Sequence, residues 1–451
     1  MKIAIAGTGY VGLVTAACLA DKGHDVTCVD IDEEKIRRLN EGIVPIYEPG
    51  LEPLIQRNTA RLRFTTADDE AYRTADVIMV AVGTPPLSDG SVQLDDVWEV
   101  LRRIALAVER NCLVVIKSTV PVGTGDEAAC FLAEHGRRGV QIDVVSNPEF
   151  LSQGTAVRDT LQAPRIVLGV DSERAERVMK ELYAPFALPY VVTDRKSAEM
   201  IKYAANVFLA LKISYMNEIA NVCELIGADI EAVAEGIGMD PRIGRRFLRA
   251  GVGYGGSCLP KDTKALYSLA ASHGYSLKTV WAAMDVNEKQ KWKLLDKARP
   301  YIGDFHNRAV AVLGAAFKPG TDDVRESPAV ANIERLIAEG ANVRVWDPAA
   351  LGHVARRFGD AVVCCETIEE AIRGADVCLI FTEWPAVLQF DLYRYKELMN
   401  RPLVLDGRNC YNVSRAMAAG LIYESIGRPA ADGTTGSQPY APVSIQGKKE
   451  G

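Results

Sequence analysis

The chain has 451 residues, of which 48% are hydrophobic and 25% charged, and its formal net charge is -7. This length allows two or three domains, and the composition is that of an ordinary globular protein of the size of an enzyme. The acidic balance excludes a chain that seeks nucleic acid or an anionic membrane surface as a whole. An anionic substrate would therefore have to be met by local basic groups. The chain contains no charge-free run of about 18 apolar residues, so the sequence predicts no membrane span.

The ten cysteines include no C-x-x-C pair, and their irregular spacing favours reduced thiols over a zinc site or a disulfide framework. We therefore expect a cytoplasmic protein without a metal site. The first 20 residues combine a lysine, an apolar run and small residues, which also fits a secretory signal peptide. Glycines interrupt that apolar run, and they have a better explanation.

Residues 2–30 predict a strand, a glycine turn, a helix and a second strand. Gly7, Gly9 and Gly12 form the G-x-G-x-x-G fingerprint of dinucleotide-binding domains. The first glycine allows the tight turn, the second lets the backbone approach a pyrophosphate, and the third lets helix and strand pack closely. Asp30 falls where a carboxylate binds ribose hydroxyls and repels a 2′-phosphate. The pattern predicts NAD as the cofactor, in preference to NADP.

More strand-like runs follow, separated by helical patterns, and this alternation predicts a parallel sheet covered by helices. The runs are 77–85, 112–121 and 142–150. Polar residues come just after them, at Thr84, Thr119 and Glu149. The carboxyl ends of the strands are where open α/β sheets bind ligands. On its own, Thr119 is equally well explained as part of a turn.

A long helical pattern covers residues 197–226. Lys202 and Asn206 are four residues apart and therefore share one face of this helix. From the pattern alone, the favoured interpretation is a solvated lysine and an incidental asparagine.

A second α/β pattern begins near residue 308. Its first loop has glycines but no G-x-G-x-x-G, and it carries Lys318 and Arg325, which suit a different anion. A later strand ends at Arg408. The last stretch is rich in Gly, Pro, Ser and Lys, which predicts a disordered tail.

From Met1 to about residue 428 the chain resembles the UDP-glucose/GDP-mannose dehydrogenase family. Beyond the N-terminal fingerprint, the resemblance rests on STVPVGT (118–124), NPEFL (147–151), KYAAN (202–206), RIGRRFLRAGVGYGGSCLPKD (242–262), FKPGTDDVRESP (317–328) and DGRN (406–409). It implies an α/β fold with two Rossmann-like doubly wound domains joined by a long central helix. The implied parts are an NAD-binding domain (1–196), a central helical dimerisation and active-site segment (197–300), a UDP-sugar-binding domain (301–428) and the tail (429–451).

The family oxidises a primary alcohol of a nucleotide sugar to a carboxylate, using two NAD molecules in turn. An aldehyde is a poor source of the second hydride until a nucleophile adds to its carbonyl, and a thiolate can do so. The resemblance identifies Cys258 as this nucleophile, which forms a thiohemiacetal and then a thioester. Nearby lysines would lower the pKa of its thiol. The glycines within 251–256 would let substrate and nicotinamide approach the backbone.

The resemblance also implies roles for the residues that the pattern alone left ambiguous. Lys202 would stabilise the oxyanion, and Asn206 would position that oxygen or a water. Asp262 would tune Lys202 or assist proton transfer during hydrolysis. Glu149 and Thr119 would hold the substrate, the cofactor or the hydrolytic water.

Two larger sets of binding residues follow from the resemblance. The cofactor set is Gly7, Gly9, Tyr10, Val11, Gly12, Asp30, Lys35, Thr84, Thr119, Gln153, Lys261 and Arg325. The substrate set is Glu149, Phe150, Leu151, Ser152, Gln153, Lys202, Asn206, Arg242, Phe247, Leu248, Arg249, Ala250, Gly251, Gly255, Lys318 and Arg408. Arg242 lies where family members reach the substrate of a neighbouring subunit, which implies a homodimer or a larger homo-oligomer.

Two positions depart from the family pattern and leave alternatives open. Gln153 stands where many members have a glutamate, and it cannot act as a base. Leu259 is more typical of GDP-mannose enzymes, whereas the longer segment 242–256 favours UDP-glucose. The alternatives are the same chemistry on GDP-mannose or a UDP-N-acetylhexosamine, a two-electron hydroxyacid dehydrogenase, and a non-catalytic NAD-binding protein. Cys258 argues against the last two.

Overall fold

The computed structural model describes residues 1–429. The tail predicted over 429–451 lies outside these residues except for its first position. The described chain divides into two compact units. The first comprises Met1–Leu209, Ser257–Trp281 and Gly320–Asp322, and the second comprises Ala210–Gly256, Ala282–Pro319 and the chain from Asp323 onward. The four domain boundaries predicted from the sequence stay a prediction.

Two β-sheets make up the framework of residues 1–429. The strands of the first are β1 (Lys2–Ala6), β2 (Asp25–Val29), β3 (Leu62–Thr65), β4 (Val77–Val80), β5 (Cys112–Ile116), β6 (Ile142–Ser146), β7 (Ile166–Gly169) and β8 (Tyr190–Thr193). Those of the second are β9 (Ala309–Leu313), β10 (Asn342–Trp346), β11 (Val362–Cys365), β12 (Val377–Ile380), β13 (Leu403–Asp406) and β14 (Ile422–Ser425).

Helices lie between most of these strands along the chain. Those from α1 to α9 are α1 (Tyr10–Asp21), α2 (Glu33–Asn40), α3 (Leu51–Arg57), α4 (Asp68–Thr74), α5 (Asp95–Ala107), α6 (Thr124–His135), α7 (Ala156–Leu161), α8 (Glu173–Tyr183) and α9 (Arg195–Ile226). The others are α10 (Ile230–Gly238), α11 (Leu259–Ser272), α12 (Lys278–Gln290), α13 (Lys293–Ile302), α14 (Pro328–Ala338), α15 (Leu351–Phe358), α16 (Ile368–Ile372), α17 (Pro385–Leu388), α18 (Leu392–Leu398) and α19 (Val413–Ala418). Helices α9 to α13 follow one another without a strand between them.

The first sheet has the order β3-β2-β1-β4-β5-β6-β7-β8. Its first six strands in this order run parallel. β6 and β7 meet antiparallel through the single pair Ser146 and Gly169, and β8 is parallel to β7. The strand order reverses between β1 and β4. The carboxyl ends of the strands therefore form a crevice at this switch point, where such folds bind ligands.

Both faces of this sheet are buried, which explains the continuous apolar runs of its central strands. Ile3 and Ile5 of β1 belong to one hydrophobic core, and Ala4 and Ala6 belong to another. β4 alternates between the same two cores. The predicted doubly wound arrangement is confirmed.

The second sheet has the order β11-β10-β9-β12-β13-β14, and every neighbouring pair is parallel. Its strands contribute to a separate hydrophobic core. The second Rossmann-like arrangement predicted from the sequence is therefore confirmed as well.

The predicted long helix is also present. α9 has 32 residues and begins at Arg195, two residues before the predicted start at 197. It is free of glycine and proline along its whole length, so nothing in its sequence interrupts the helix. Among residues 1–429, every helix is too short or too polar to cross a membrane.

Two glycines of the fingerprint, Gly9 and Gly12, differ in the space around them, and this difference can be tested. A Cβ on Gly12 would lie 2.0 Å from the carbonyl oxygen of Gly7, whereas a Cβ on Gly9 would meet nothing within 4 Å. Gly12→Ala should lower the free energy of unfolding by about 1–3 kcal/mol, because the backbone at Gly7 would have to shift to make room for the new methyl group. Gly9→Ala, the matched control, should change it much less. Thermal unfolding without ligands compares the two, and equal midpoints would contradict this packing argument.

Candidate active site

The turn between β1 and α1 offers space for a phosphate group. Gly7 adopts a left-handed φ of 97°, and Gly9 is the N-cap of the 12-residue α1. Because Gly9 has open space where a side chain would lie, a ligand can approach the backbone there. The unpaired N–H groups and the dipole at a helix N-terminus favour an anion. Tyr10 and Val11 form the first turn of this helix.

Asp30 lies directly after β2, beside this turn. Its Oδ2 accepts hydrogen bonds from the Thr8 backbone N at 2.8 Å, the Thr8 hydroxyl at 2.6 Å and Lys35 Nζ at 2.9 Å. Burial raises the pKa of Asp30, but these bonds outweigh burial and hold it below its usual value. Asp30 is thus an ionised acceptor suited to ribose hydroxyls. The turn and this carboxylate fit the dinucleotide NAD.

A buried ion pair forms the centre of the predicted catalytic group. Lys202 Nζ on α9 donates to Glu149 Oε1 at 2.9 Å, and the two side chains are 3% and 7% exposed. Glu149 Oε2 accepts from the backbone N of Leu151 at 2.7 Å. Burial lowers the pKa of Lys202, yet the negative charges of Glu149, Asp262 and Cys258 raise it above its usual value. Lys202 is therefore a permanent cation.

A second polar pair lies one helical turn along α9. Asn206 Nδ2 donates to Asp262 Oδ2 at 2.6 Å, and Asp262 Oδ1 accepts from Lys261 Nζ at 2.7 Å. Asp262 is 1% exposed and lies in the first turn of α11. The structure thus brings together the five residues that the sequence singled out in 202–206 and 258–262: Lys202, Asn206, Cys258, Lys261 and Asp262.

Cys258 is the N-cap of α11, so its thiol lies at the positive end of a 14-residue helix. Burial and the charge of Glu149 raise the pKa of this thiol, and Lys202 acts in the opposite direction. The net effect raises the pKa of the thiol, so the lowering expected from the sequence is not found; Lys202 and the helix N-terminus favour the thiolate only in part. All ten cysteines are free thiols. Within residues 1–429, no group of His, Cys, Asp or Glu side chains has the arrangement to hold a metal ion.

Thr119 lies on the loop after β5 and lines a small cavity with Ser118, Glu199 and Lys202. The cavity volume is about 10 Å³, which is roughly the room for one water molecule. The backbone carbonyl of Thr119 accepts a hydrogen bond from the Thr84 hydroxyl at 3.0 Å.

The loop after β6 carries the next predicted residues and is fixed from several sides. The guanidinium of Arg165 lies 3.8 Å from the ring centroid of Phe150. The backbone N of Ser152 donates to Asp159 at 3.2 Å. Gln153 Oε1 accepts from the Thr321 hydroxyl at 3.0 Å. The side chain that replaces the expected glutamate therefore has a hydrogen-bonding role.

Sequence reasoning missed three buried charged residues of the first unit, Glu48, Glu199 and Lys117. Glu48 accepts from the backbone N of Gly154 at 2.6 Å and so fixes the end of the loop. Glu199, one turn before Lys202 on α9, accepts from the first turn of α6. Lys117 ends the apolar run of β5 and is 7% exposed. A charged residue at the end of a buried strand was the one available signal for Lys117.

The second unit holds the remaining predicted residues, starting with the segment before the glycine-rich loop. Arg242 is ion-paired with Asp240 at 2.6 Å, and its side chain is 87% exposed. Phe247 has a left-handed φ of 63°, an unusual conformation for a bulky residue. Along this segment, Leu248 and Ala250 are buried and Arg249 is exposed.

The glycine-rich loop packs against the backbone of its own unit. A Cβ on Gly255 would lie 2.3 Å from the carbonyl oxygen of Glu326, and one on Gly251 would lie 2.8 Å from that of Gly407. The backbone N of Gly251 donates to Asn217 Oδ1 at 2.8 Å. The sequence suggested ligand approach as the reason for these glycines, and close backbone packing is a second reason.

Three basic residues complete the predicted set. Arg408 donates to the backbone carbonyls of Phe381 at 2.8 Å and Phe317 at 3.2 Å. Lys318 Nζ lies 5.4 Å from the ring centroid of Phe317. Arg325, by contrast, is 64% exposed and ion-paired with Asp323 at 2.6 Å.

The second unit has its own aspartate after the second strand of its sheet, but its surroundings differ from those of Asp30. Asp347 Oδ2 accepts from the backbone N of Ala315 at 2.8 Å and of Ala316 at 3.0 Å, and from Trp384 Nε1 at 3.0 Å. Asp347 is 1% exposed. Like Asp30, Asp347 accepts from the backbone of the loop after the first strand of its sheet; unlike Asp30, it also accepts from an indole N–H.

Comparison with known proteins identifies three domains of one family along the chain. The family models of the UDP-glucose/GDP-mannose dehydrogenase family match its NAD binding domain at residues 1–187, its central domain at 196–289 and its UDP binding domain at 311–413. The predicted NAD cofactor is therefore confirmed.

Similar proteins cover almost the whole chain. The UDP-glucose 6-dehydrogenase YwqF of Bacillus subtilis is 49% identical over 432 residues, which are 95% of this chain and 98% of that protein. TuaD, a UDP-glucose 6-dehydrogenase of the same organism, is 46% identical over 98% of this chain and 96% of its own. A solved UDP-glucose dehydrogenase from Pyrobaculum islandicum is 39% identical with a TM-score of 0.88, covering 94% of this chain and 96% of that one. The chain belongs to the UDP-glucose/GDP-mannose dehydrogenase family.

Proposed function

We propose that this protein oxidises the C6 alcohol of UDP-glucose to a carboxylate, giving UDP-glucuronate. Relatives that are 46% and 49% identical over nearly the full chain are UDP-glucose 6-dehydrogenases, and the chain has both an NAD-binding and a UDP-binding domain. The observation that carries the chemistry is that Cys258 lies close enough to the buried Lys202–Glu149 pair and to Asp262 for their charges to shift the pKa of its thiol.

The cofactor site follows from the first unit. The turn at Gly7 and Gly9 with the N-terminus of α1 would hold the pyrophosphate, and Asp30 with Lys35 would hold a ribose. NAD supplies a hydride acceptor for each of the two oxidations. The residues Tyr10, Val11, Thr84, Lys261 and Arg325 are assigned to the cofactor by family resemblance.

Lys202 stabilises negative charge on the C6 oxygen throughout the reaction. When the alcohol is oxidised, its proton is lost, and a fixed ammonium beside the oxygen favours the alkoxide. Asn206, one turn further along α9, orients the same oxygen or a water through its amide. Because Lys202 is held by Glu149, it reaches the oxygen without reorganisation.

Cys258 makes the second oxidation possible. Its thiolate adds to the aldehyde carbon, and the carbonyl oxygen becomes an oxyanion beside Lys202. Loss of the second hydride leaves a thioester between Cys258 and the sugar. Water then adds to the thioester, the thiolate leaves, and the carboxylate product is formed.

Hydrolysis of the thioester needs a positioned water and a proton acceptor. The cavity of about 10 Å³ beside Thr119 and Lys202 has room for one water. Gln153 cannot accept the proton, because it is a neutral amide that is hydrogen-bonded to Thr321. We assign this proton transfer to Asp262, whose carboxylate is held by Asn206 and Lys261.

The second unit supplies the proposed sugar-nucleotide contacts. Lys318 and Arg408 lie within the part of the chain matched by the UDP binding domain. Segment 247–251 and Gly255 form the proposed wrapping loop, whose backbone Asn217 and Gln290 hold at Gly251.

We also propose that the protein is a homodimer in the cytoplasm. Tyr215, Val222, Leu225 and Ile226 recur along one side of α9 and are 57%, 45%, 73% and 72% exposed. Such a stripe of large apolar side chains is typical of a helix that packs on a partner. Ten free thiols and the use of NAD support a reducing compartment.

The substrate assignment predicts a clear preference. With purified protein and NAD, kcat/KM from NADH absorbance should be at least about tenfold higher for UDP-glucose than for GDP-mannose or UDP-N-acetylglucosamine, a difference of about 1.4 kcal/mol. A higher kcat/KM for GDP-mannose would instead support the interpretation that Leu259 favours. Absence of NADH with all three sugars would refute the proposed activity.

The dimer proposal predicts that Tyr215→Asp disrupts the assembly. A charge in the apolar stripe should shift the protein to monomer, as measured by analytical ultracentrifugation. Leu106→Asp is the matched control, because Leu106 is an 84% exposed apolar residue on α5. Equal molecular masses for wild type and the Tyr215 variant would contradict the use of this stripe.

A further inference from the structure

Lys117 is a buried lysine whose charge has no acidic partner. It follows β5 directly, and its Nζ donates to the backbone carbonyl and to Oδ1 of Asn147, both at 3.2 Å. Within residues 1–429, no carboxylate lies at ion-pair distance from it. Buried lysines normally have such a partner, because removing an unpaired charge from water is costly. A buried ammonium without a direct ion pair is therefore a candidate for a functional role.

The residue that Lys117 holds is itself rigid. Asn147 Oδ1 also accepts from the Tyr183 hydroxyl at 2.6 Å, and its Nδ2 donates to the backbone carbonyl of Val167 at 2.8 Å. Asn147 is 1% exposed. Glu149 follows two residues later, on the same short turn. Lys117 is therefore fixed to the backbone that presents Glu149 to Lys202.

Lys117 also lies within the electrostatic field of the catalytic group. Burial lowers the pKa of Lys117 to about 8; the charge of Glu149 opposes this shift, and that of Lys202 adds to it. Near neutral pH the ammonium is thus charged, and it interacts with both members of the central ion pair.

A count of the charges around Cys258 indicates a role for the additional cation, Lys117. Lys202 and Glu149 cancel each other, as do Lys261 and Asp262. The carboxylate of a neighbouring buried acid, Glu199, accepts hydrogen bonds from the backbone N–H groups at the start of α6 and from the hydroxyl of Ser146. A thiolate at Cys258 adds one negative charge that none of these pairs balances. Lys117 carries one positive charge that none of them uses.

We propose that Lys117 is a positioning residue of the proposed reaction, whose buried ammonium fixes the Asn147–Glu149 turn and offsets the charge of Glu149 so that Cys258 can ionise. The inference rests on Cys258 being the nucleophile of the proposed function. It assigns Lys117 no contact with substrate or cofactor.

Four variants separate the charge of Lys117 from its hydrogen bonds. Lys117→Gln keeps N–H donors for Asn147 but removes the charge, and Lys117→Met removes both. Lys117→Arg keeps the charge and the donors. Lys180→Gln is the matched control, because Lys180 pairs with Glu176 on the exposed side of α8. Circular dichroism checks that each variant is folded.

The measurement is the rate at which iodoacetamide alkylates Cys258 at pH 7, without sugar or NAD. Mass spectrometry of the Cys258 peptide is needed, because Cys130 and Cys364 are more exposed than Cys258 and would also be alkylated. We expect about tenfold slower alkylation in Lys117→Gln and Lys117→Met, and wild-type rates in Lys117→Arg and Lys180→Gln. Wild-type rates in folded Lys117→Gln and Lys117→Met would overturn the proposal, as would equally slow alkylation in Lys117→Arg.

The wild-type protein provides a second test that does not depend on the folding of the neutral variants. An isolated thiol below its pKa reacts tenfold faster for each pH unit. In the wild type, Lys117 loses its charge near pH 8. The alkylation rate of the wild type should therefore rise less than tenfold between pH 8 and 9. The rate of Lys117→Arg, which keeps its charge, should rise more steeply over the same interval. A full tenfold rise in the wild type would overturn the proposal. Neither test uses a sugar, so a wrong substrate assignment leaves both outcomes unaffected.

Discussion

The buried ion pair between Lys202 and Glu149 is the interaction on which the site depends. Two charges removed from water must satisfy each other, and breaking such a pair by removing one partner costs about 3–5 kcal/mol. This requirement holds α9 beside the turn after β6, with Lys202 Nζ 2.9 Å from Glu149 Oε1. It also fixes a cation where the oxygen of the substrate is proposed to react. Stability and chemistry therefore impose the same geometry on these two residues.

The position of Cys258 follows from the same constraint. Cys258 is at the N-terminus of α11, and the first turn of that helix brings Asp262 to Asn206. Glu149 and burial disfavour the thiolate, while Lys202 favours it. The reactivity of the cysteine is therefore set by a balance of nearby charges. In such a balance we expect the more distant ammonium of Lys117 to have a measurable effect.

The sequence predicted the parts of the structure that depend on local pattern. The fingerprint turn, the acid Asp30 and the helix of α9 each rely on spacing within about 30 residues. The antiparallel β7 and the partners of Glu48 and Lys117 could not be predicted, because they depend on contacts between distant segments. Glu48, for example, binds a backbone N–H that is 106 residues away. The roles of Lys202 and Asn206 were suggested by family resemblance, since helical spacing alone favoured a solvated pair.

The two Rossmann-like sheets belong to domains that match NAD-binding and UDP-binding family models. Asp30, which we propose binds a ribose, and Asp347 at the equivalent place in the second sheet both accept from the backbone of the loop after the first strand, but only Asp347 also accepts from an indole N–H. The central measurement is the number of NADH molecules formed per UDP-glucose consumed, with the sugar limiting and NAD in excess. The account predicts two for the wild type, with UDP-glucuronate as product, and at most one for Cys258→Ser, with the sugar left at the aldehyde level. Two NADH per sugar from the serine variant would contradict the proposed role of Cys258.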